Sequence, residues 1–300
     1  MKWVVSVSLG SASRNHSVMT DFLGEQVRID RFGTEGDVRA AKQLVRSLDG
    51  RVDAFGLGGI NLHYYTGSRR YAIRQGISIM REARYSPVVD GSGIKDTVER
   101  DVVTYLCREF DIGLCGQTAL VVSVLDRFGL AEALAAAGCR MIIGDALFGL
   151  GIPLPFTSLA TFDRMARLTL PVLRHLPINW LYPLGKSQEE IVPRFEKYYR
   201  QANILAGDFH FIRRYLPQSL TDKIVISSTV TQQDVALLRQ RGVKWLVTTV
   251  PDLGGRSFGA NVMEAVLVSI FGLPPEGCRQ EQYRLLLRQM GYRPRVEQLN

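Results

Sequence analysis

The sequence contains few cysteines and few histidines, four of each among 300 residues. No two cysteines form a CxxC motif and no histidine lies at metal-ligand spacing from them, so the sequence predicts neither a zinc site nor a disulfide framework. The cysteines are Cys107, Cys115, Cys139 and Cys278. A reducing environment is the simplest expectation for such a chain, and we therefore expect a cytoplasmic protein.

Long apolar runs are also missing. The longest uncharged stretch, residues 146–162, is interrupted by two glycines and two prolines. A helix that crosses a bilayer needs about 20 consecutive apolar residues. The sequence therefore predicts no membrane span, and the short apolar stretch at the N-terminus alternates like a strand rather than forming a signal peptide.

The charge is unbalanced but not clustered. Lysine and arginine total 37, aspartate and glutamate total 29, and the formal net charge is +8. This excess favours anionic ligands. Because the arginines are spread along the chain without a basic run or an RNA-binding signature, we expect an anionic small molecule as partner and no nucleic acid.

Residues 117–145 carry the clearest fold signal. Residues 118–124 form an apolar run of strand length, and residues 129–137 are rich in alanine and leucine at helical spacing. Gly138 closes that helix, and residues 140–143 begin a second strand. A strand, a helix and a strand in this order predict a parallel sheet of the Rossmann type.

The turn of this unit lacks most glycines of a dinucleotide site. The three fingerprint positions hold Val124, Asp126 and Gly129, so only the last glycine is present. The turn still lies where a pyrophosphate would bind a helix N-terminus, which makes Asp126, Arg127 and Gly129 cofactor-binding candidates. Asp145 ends the second strand, where an acid would bind the adenosine ribose; capping of the next turn is its alternative role. The unit is either an active cofactor site or a retained scaffold.

Residues 1–115 are predicted to form an α/β domain that binds the substrate. A Gly-Ser-Gly turn around Ser92 precedes a helix, and its N–H groups suit a carboxylate or phosphate, with tight turn geometry as the alternative. Ser11 and Ser13 follow the first strand and offer hydroxyls to a carboxylate, with N-capping as the alternative. Tyr64 lies in a predicted hairpin and is either a ligand contact or a packing residue.

Residues 116–273 are predicted to form a Rossmann-like parallel-sheet domain, and residues 274–300 a C-terminal helix and tail. A Leu/Pro-rich insertion, residues 146–185, interrupts this second domain. Its amphipathic helix is expected to form a dimer contact, a lid over a cleft or a monotopic membrane patch, in that order of preference. The first of these would make the protein a homodimer.

Further polar residues follow the later strands of the predicted sheet. Asp208 and His210 come after one strand and are candidates for a catalytic acid and base. Ser228 follows the next strand, and Gly255 and Arg256 lie in a glycine-rich turn before a helix. Because the carboxyl ends of parallel strands share one edge, we expect these residues to converge on the cofactor turn.

Several strings of residues carry a family resemblance. They are VSVSLGSASR, GLGGINLHYY, PVVDGSGIKDTVER, VLDRFGLAEALA, AGDFHFIRRY and TTVPDLGGRSFGANVMEA. In these strings the chain resembles bacterial quinate/shikimate 5-dehydrogenase-like proteins. The resemblance implies a substrate domain, a Rossmann domain and NAD or NADP as cofactor. It also implies that Ser11 and Ser13 bind the substrate carboxylate and that Lys95 transfers a proton. The glycine-rich cofactor loop and the Asn-Thr-Asp motif of shikimate dehydrogenases are missing.

Two functions are therefore expected. The first is an NAD(P)-dependent oxidoreductase acting on a hydroxylated ring carboxylate, with NAD favoured because Asp145 would repel the 2′-phosphate of NADP. The alternative is a non-catalytic Rossmann-like protein that binds another nucleotide or an anionic metabolite.

Overall fold

A computed structural model describes residues 1–67, 69–181, 190–228, 230–250, 259–273 and 280–300 of the chain. Gly255 and Arg256, two of the predicted cofactor-binding residues, lie outside these described residues, as does Cys278.

The described strands alternate with helices along most of the chain. In chain order the strands are β1 (Lys2–Ser8), β2 (His16–Phe22), β3 (Glu25–Gly33), β4 (Ala54–Gly58), β5 (His63–Thr66), β6 (Arg69–Ala72), β7 (Val88–Val89), β8 (Thr118–Val121), β9 (Arg140–Ile143), β10 (Ile204–Ala206), β11 (Ile224–Ser227), β12 (Trp245–Thr248) and β13 (Arg295–Gln298).

The helices are α1 (Val38–Leu48), α2 (Arg74–Met80), α3 (Ser92–Glu109), α4 (Phe128–Ala136), α5 (Leu159–Leu173), α6 (Ile178–Leu181), α7 (Glu196–Gln201), α8 (Phe209–Arg214), α9 (Gln232–Gln240), α10 (Ala260–Phe271) and α11 (Gln280–Gln289). A short 3-10 turn spans Ala12–Arg14, and a π-helical turn spans Asp145–Gly149. None of the described helices is long and apolar enough to cross a membrane.

The first sheet has the strand order β2-β3-β1-β4-β7. Strands β3, β1, β4 and β7 are parallel, and β2 pairs with β3 in the antiparallel direction. One face packs on α1 and α2 around Phe55 and Leu57, and the other packs on α10 and α11 around Val4 and Ile29. Strands β5 and β6 form a separate hairpin beside this sheet.

The second sheet has the strand order β13-β12-β11-β10-β8-β9. Its strands are parallel except for β13, which pairs antiparallel with β12. The chain leaves β8 for β9 on one side and later returns to β10 on the other, so strand order reverses between β8 and β10. This topology confirms the predicted fold class, an N-terminal α/β unit followed by a Rossmann-like parallel sheet with an insertion.

Local sequence signals explain where several of these elements begin and end. The side chains of Thr231 and Asp234 form a reciprocal capping box at the start of α9, as the sequence predicts. Gly138 has a φ of +85° and ends α4, since a residue with a β-carbon is strained in that conformation.

The C-terminal part of the chain is divided differently from the predicted boundaries at residues 115 and 273. Helix α10 packs against the first sheet and against α3, and α11 packs against α3 and shares the hydrophobic core on that side of the first sheet. Gly56 allows this approach, because a β-carbon there would lie 2.6 Å from the carbonyl oxygen of Asn261 on α10. An apolar helix shows in its sequence that it is buried, but not which sheet covers it.

The end of the chain is also more ordered than the predicted tail. Residues 295–298 form β13 at the edge of the second sheet, and Leu299 is buried. The pairing joins positions far apart in sequence, such as Trp245 and Gln298, so no local sequence pattern predicts it.

A candidate ligand cleft between the two sheets

The carboxyl ends of both sheets face a common cleft. Ser8 and Gly58, at the ends of β1 and β4, line it from the first sheet. Ser123 follows β8 and Asp208 follows β10, on either side of the point where strand order reverses. Ligands of open α/β sheets bind at such a switch point, so the fold itself singles out this cleft.

One compartment of the cleft is an apolar cavity of about 380 Å³. Its walls come largely from the insertion, through the π-helical turn, the following loop and α5. Those apolar residues are Ala146, Leu150, Ile152, Leu154, Phe156, Phe162, Met165, Ala166, Leu170 and Leu173. The described part of the insertion thus forms a wall of the cavity. The dimer contact, the lid and the membrane patch expected for this insertion stay predictions.

The second compartment is a polar cavity of about 590 Å³. Its basic lining side chains are Arg14, Arg31, Lys95 and Arg127. Its acidic lining side chains are Asp90 and Asp208, so the formal charge of the lining is positive. Hydroxyl and amide groups complete the wall, among them Ser13, Ser228 and Asn261. The N-terminal end of α10 also borders this compartment and adds the positive end of a helix dipole.

The two compartments share a wall. Gly59, Ile60, Asn61, Lys95 and Asp208 line both of them. Apolar space and cationic polar space therefore adjoin each other, with the ammonium group of Lys95 at their boundary.

Lys95 is held at this boundary by two oxygens. Its Nζ lies 2.9 Å from Oδ1 of Asp126 and 3.1 Å from Oδ1 of Asn61. The amide of Asn61 also donates to Asp126. Burial raises the pKa of the Asp126 carboxyl, but the charges of Lys95 and Arg127 and the bond from Asn61 outweigh burial and hold that pKa well below its ordinary value. Asp126 is therefore a carboxylate at neutral pH.

Arg127 connects the two sides of the polar wall. Its guanidinium, 2% exposed, pairs with Glu99 of α3 and lies 3.0 Å from Asp126 and 3.8 Å from Asp208. It also donates to the Ser228 hydroxyl across 3.1 Å. Burial raises the pKa of Glu99 to about 7, although the charge of Arg127 opposes that shift. Arg127 is thus a buried hub of the network.

A second basic group lies on the first-sheet side of the polar cavity. Arg31 donates to the Ser8 hydroxyl across 3.0 Å and to the Ser11 carbonyl across 3.1 Å. Burial, followed by repulsion from Arg14, lowers the pKa of Arg31 to about 10. Two guanidinium groups at close range in a cleft favour an anion between or beside them.

His210 faces the same cavity with one nitrogen in use. Its Nε2 lies 2.9 Å from the Arg14 guanidinium, which can only donate, so the proton of a neutral ring is on Nδ1. Burial lowers the pKa of His210, which keeps the ring neutral at pH 7. The Nδ1 group has no hydrogen-bond partner among the described residues.

Asp208 and His210 do not form the predicted acid and base pair. Asp208 accepts the backbone N–H of His210 across 2.8 Å and so caps α8, whereas the ring of His210 contacts Arg14. The capping role follows from sequence spacing, since Asp two residues before a helical N–H is a common N-cap. Both residues nevertheless line the polar cavity, as the sequence-based convergence predicts.

Asp145 and Tyr64 supply polar groups to the apolar cavity. Asp145 accepts the N–H groups of Val124 and Leu125 across 2.8 and 3.0 Å, which is the capping alternative rather than a free ribose ligand. Burial raises the pKa of Asp145 to about 7, with Asp126 adding to the rise. Burial also raises the pKa of Tyr64 well above its ordinary value. Both groups are therefore largely protonated donors below neutral pH.

Three predicted site residues line neither compartment. Ser11 caps the 3-10 turn and donates to Glu35 across 3.0 Å, which leaves Ser13 alone of the pair at the polar cavity. Gly129 lies where α4 meets α3, since a β-carbon there would be 2.6 Å from Oδ1 of Asp96. The residue serves helix packing, and the start of α4 faces protein rather than open space.

Ser92, the third of these residues, belongs to a turn whose N–H groups already have acceptors. Its own N–H donates to Asp90 across 2.9 Å, and the N–H of Gly93 donates to Glu264 across 3.2 Å. Protein carboxylates thus occupy the positions that the sequence suggested for an anion. The Gly-Ser-Gly turn is explained by close packing, because a β-carbon on Gly91 would lie 2.5 Å from the backbone nitrogen of Asn261.

Sequence reasoning missed three residues that build the site. Asn61 follows the Gly58-Gly59 end of β4, a strand end at the correct edge, and this signal could have identified it. Arg31 lies within a strand whose alternating pattern resembles a solvent-exposed edge, and Glu99 is one acid on a long helix. Neither has a local motif, because both depend on contacts between distant elements.

Family models match both parts of the chain. A domain of unknown function, DUF8754, matches residues 93–299, and a second one, DUF8753, matches residues 3–90. The chain belongs to the DUF8754 family. The junction between the two matches lies at the start of α3, about one helix earlier than the predicted boundary. No curated protein matches the chain in sequence.

Solved structures share the general architecture at low identity. A glucose-galactose binding protein, GanP, from Geobacillus stearothermophilus is 8% identical in sequence and has a TM-score of 0.41. The match covers 100% of this chain and 98% of GanP. A sugar ABC transport substrate-binding protein from Bordetella parapertussis 12822 is 13% identical and has a TM-score of 0.38, and the match covers 91% of this chain and 82% of that protein. L-Tryptophan dehydrogenase from Nostoc punctiforme is 12% identical, with a TM-score of 0.38 and coverages of 97% and 79%. TM-scores of this size leave function to be argued from the site.

The resemblance to quinate/shikimate 5-dehydrogenase-like proteins is wrong. The matching families are domains of unknown function, and neither carries a dehydrogenase description. The expected function, an oxidoreductase acting on a hydroxylated ring carboxylate, was based on this resemblance and is therefore wrong as well. A physical reason lies in the turn after β8, where Asp126 and Arg127 are bound into an internal ion network instead of facing a pyrophosphate. The NAD or NADP cofactor stays a prediction.

Proposed function

We propose that the chain is a binding protein for a small organic anion that has an apolar body. The anionic end of the ligand lies in the polar cavity near Lys95 and Arg14, and its body lies in the apolar cavity under α5. The observation that carries this proposal is the shared wall of the two compartments, on which Lys95 stands.

Charge supports the anionic end. Four basic and two acidic side chains line the polar cavity, and Arg14 and Arg31 repel each other there. An anion reduces that repulsion and accepts hydrogen bonds from charged donors, each worth about 1.5–3 kcal/mol.

Packing supports the apolar body. The apolar cavity is walled by aliphatic and aromatic side chains, and a cavity of about 380 Å³ accommodates a short acyl chain or an aromatic ring. Each methylene group moved from water into such a space contributes about 0.8 kcal/mol. The proposed ligand therefore gains affinity from both compartments, and neither half of it binds well alone.

Matched probes test the proposal by calorimetric titration. Octanoate has both the charge and the chain, octanol has the chain alone, and acetate has the charge alone. We expect octanoate to bind at least about tenfold more tightly than octanol, from the charged hydrogen bonds. We expect it to bind at least about a hundredfold more tightly than acetate, from the additional methylene groups. Equal affinities for octanoate and octanol, or no heat of binding with octanoate, contradict the proposal.

Two variants with matched controls locate the probe. Arg14→Gln removes one cation of the polar cavity and is expected to weaken octanoate but not octanol, whereas the exposed Arg39→Gln on α1 leaves both unchanged. Ala166→Phe fills the apolar cavity and is expected to weaken the binding of both octanoate and octanol. Ala136→Phe, on the exposed side of α4, is expected to leave the binding of both probes unchanged.

A further inference from the structure

Exposed apolar side chains concentrate in one part of the molecule, the cover segment, which we define as residues 146–181. Leu168 is 74% exposed, Val172 67% and Trp180 68%. Single exposed apolar residues are ordinary on protein surfaces, but a group of them within one short segment marks a candidate interaction site.

Helix α5 of the cover segment is apolar on two sides. Phe162, Ala166 and Leu170 point inward and are buried, and they line the apolar cavity. Leu168 and Val172 are four residues apart and therefore share the outer side of the helix. The inner side is explained by the cavity, whereas the outer side has no cover among the described residues.

The surroundings of this outer side are basic. Arg164 is exposed and shares the stripe of Leu168, one turn earlier in the helix. Strand β5 of the neighbouring hairpin contacts α5, and the exposed Arg69 and Arg70 lie on β6 of the same hairpin. The only acid in the sequence of the cover segment is Asp163, which pairs with Arg167 across 2.6 Å.

Charge selects the partner for this surface. In a twofold dimer two copies of the same patch meet, so two surfaces of the same positive net charge would be brought together. An anionic lipid surface instead complements both the arginines and the apolar stripe, as it does for amphipathic helices that lie in the membrane interface.

The patch is continuous with the mouth of the ligand cavity. Leu150, Ile152, Leu154 and Met165 line the apolar cavity and are also between 42% and 66% exposed. A ligand with an apolar body can therefore enter the cavity from the same side on which the patch lies.

We propose that the exposed apolar side chains of the cover segment, Leu168 and Val172 of α5 together with Trp180 of α6, dock on an anionic membrane surface. The apolar side chains enter the boundary between headgroups and acyl chains, and the arginines contact the headgroups. This inference goes beyond the proposed binding of an organic anion and does not depend on it.

Co-sedimentation of the full chain with vesicles tests the inference, without any added ligand. Vesicles of phosphatidylcholine alone are compared with vesicles that also contain phosphatidylglycerol. The chain is expected to sediment with the anionic vesicles, and Arg164→Gln is expected to lower the partition coefficient about fivefold. The double variant Leu168→Glu/Val172→Glu is expected to lower it at least about tenfold.

Leu285→Glu is the matched control, because Leu285 is a leucine 58% exposed on α11, far from the cover segment in sequence. It is expected to sediment like the unaltered chain. A chain that stays in solution with anionic vesicles overturns the inference, and so does equal partitioning of the double variant and Leu285→Glu. Light scattering distinguishes the rival occupant: a dimer that the double variant dissociates, with no vesicle binding, assigns the patch to a second copy instead.

Discussion

Lys95 and Asp126 form an ion pair, with 2.9 Å between Nζ and Oδ1, at the boundary of the apolar and polar cavities. The pair joins α3, which follows the first sheet, to the turn after β8 in the second sheet. Asp126 thereby serves the protein's own lysine at the position where a dinucleotide site would hold a pyrophosphate. The ion pair connects the two halves of the chain. It also explains why the turn after β8 differs from the pyrophosphate-binding loop of a dinucleotide site.

A double-mutant cycle measures this contact. Lys95→Met leaves the buried Asp126 with Arg127 and Asn61 alone, and Asp126→Asn leaves the Lys95 ammonium with Asn61 alone. Each single variant is expected to lose about 2–4 kcal/mol of unfolding free energy in urea. The double variant is expected to lose at least about 1 kcal/mol less than the sum. Strict additivity would show that the pair is not coupled.

Arg127 is expected to be the most sensitive residue of the network. Arg127→Met leaves Glu99 without its paired cation in the interior, and the expected loss of unfolding free energy is about 3–5 kcal/mol. Arg39→Met, at an exposed position of α1, is expected to change it by less than about 0.5 kcal/mol. A loss at Arg127 as small as that at Arg39 would contradict the described network.

The packing of α10 on the first sheet is tested by two glycines that share a backbone conformation. Gly91 has a φ of +86° and Gly24 a φ of +81°, so alanine carries a similar backbone strain at both. A β-carbon on Gly91 would meet the Asn261 backbone, whereas one on Gly24 would meet nothing within 4 Å. Gly91→Ala is therefore expected to lower the free energy of unfolding, measured by chemical denaturation, by about 1–3 kcal/mol more than Gly24→Ala. Equal losses of unfolding free energy in the two variants would show that α10 does not pack against Gly91.

Glu264 predicts a pH dependence of stability. Burial, followed by the charge of Asp90, raises the pKa of Glu264 from 4.5 to about 7. In the unfolded chain the carboxyl ionises near its ordinary pKa, so its favourable effect on folding is complete below pH 4.5 and is lost as pH rises to about 7.

Glu264→Gln keeps the oxygen that accepts from Tyr283 and removes the ionisation. Relative to the unaltered chain, this variant is expected to gain up to about 3 kcal/mol between pH 4 and pH 8, by the free energy of such a pKa difference. Unfolding in urea at a series of pH values measures the gain. A stability difference that is constant over this range would show that Glu264 titrates normally.

The architecture could be predicted from local patterns. The strand, helix and strand of residues 117–145 and the Thr231-Asp234 capping box are properties of neighbouring residues, and the structure has both. Rossmann-like topology then followed from the alternation of strands and helices. Helix α10 shows the limit, because its apolar sequence fits either sheet.

The site was predicted only in part. Lys95, Asp126, Arg127, Asp208 and Ser228 converge, because carboxyl ends of parallel strands must share an edge. The roles assigned to some of them were not recoverable, since an aspartate after a strand can cap a helix, bind a ligand or pair with a cation. The partner decides among these roles. For Asp126 the partner is a lysine on a helix of the other half of the chain.

The polar cavity contains one arginine from a strand that looks solvent-exposed in sequence. Arg31 lies two residues before the end of β3, and only the fold places it near Arg14. Asn61 follows a strand of the first sheet and reaches a turn of the second. Such long-range neighbours leave no spacing pattern along the chain.

Anomalous diffraction from crystals of the chain soaked with 8-bromooctanoate tests the central claim most directly, since bromine marks the end of the chain opposite the carboxylate. The account predicts a bromine peak in the apolar cavity beside Phe162, Ala166 and Leu170, with the carboxylate at Lys95 on the shared wall. A bromine peak outside this cavity, or a carboxylate bound away from Lys95 and Arg14, would contradict it.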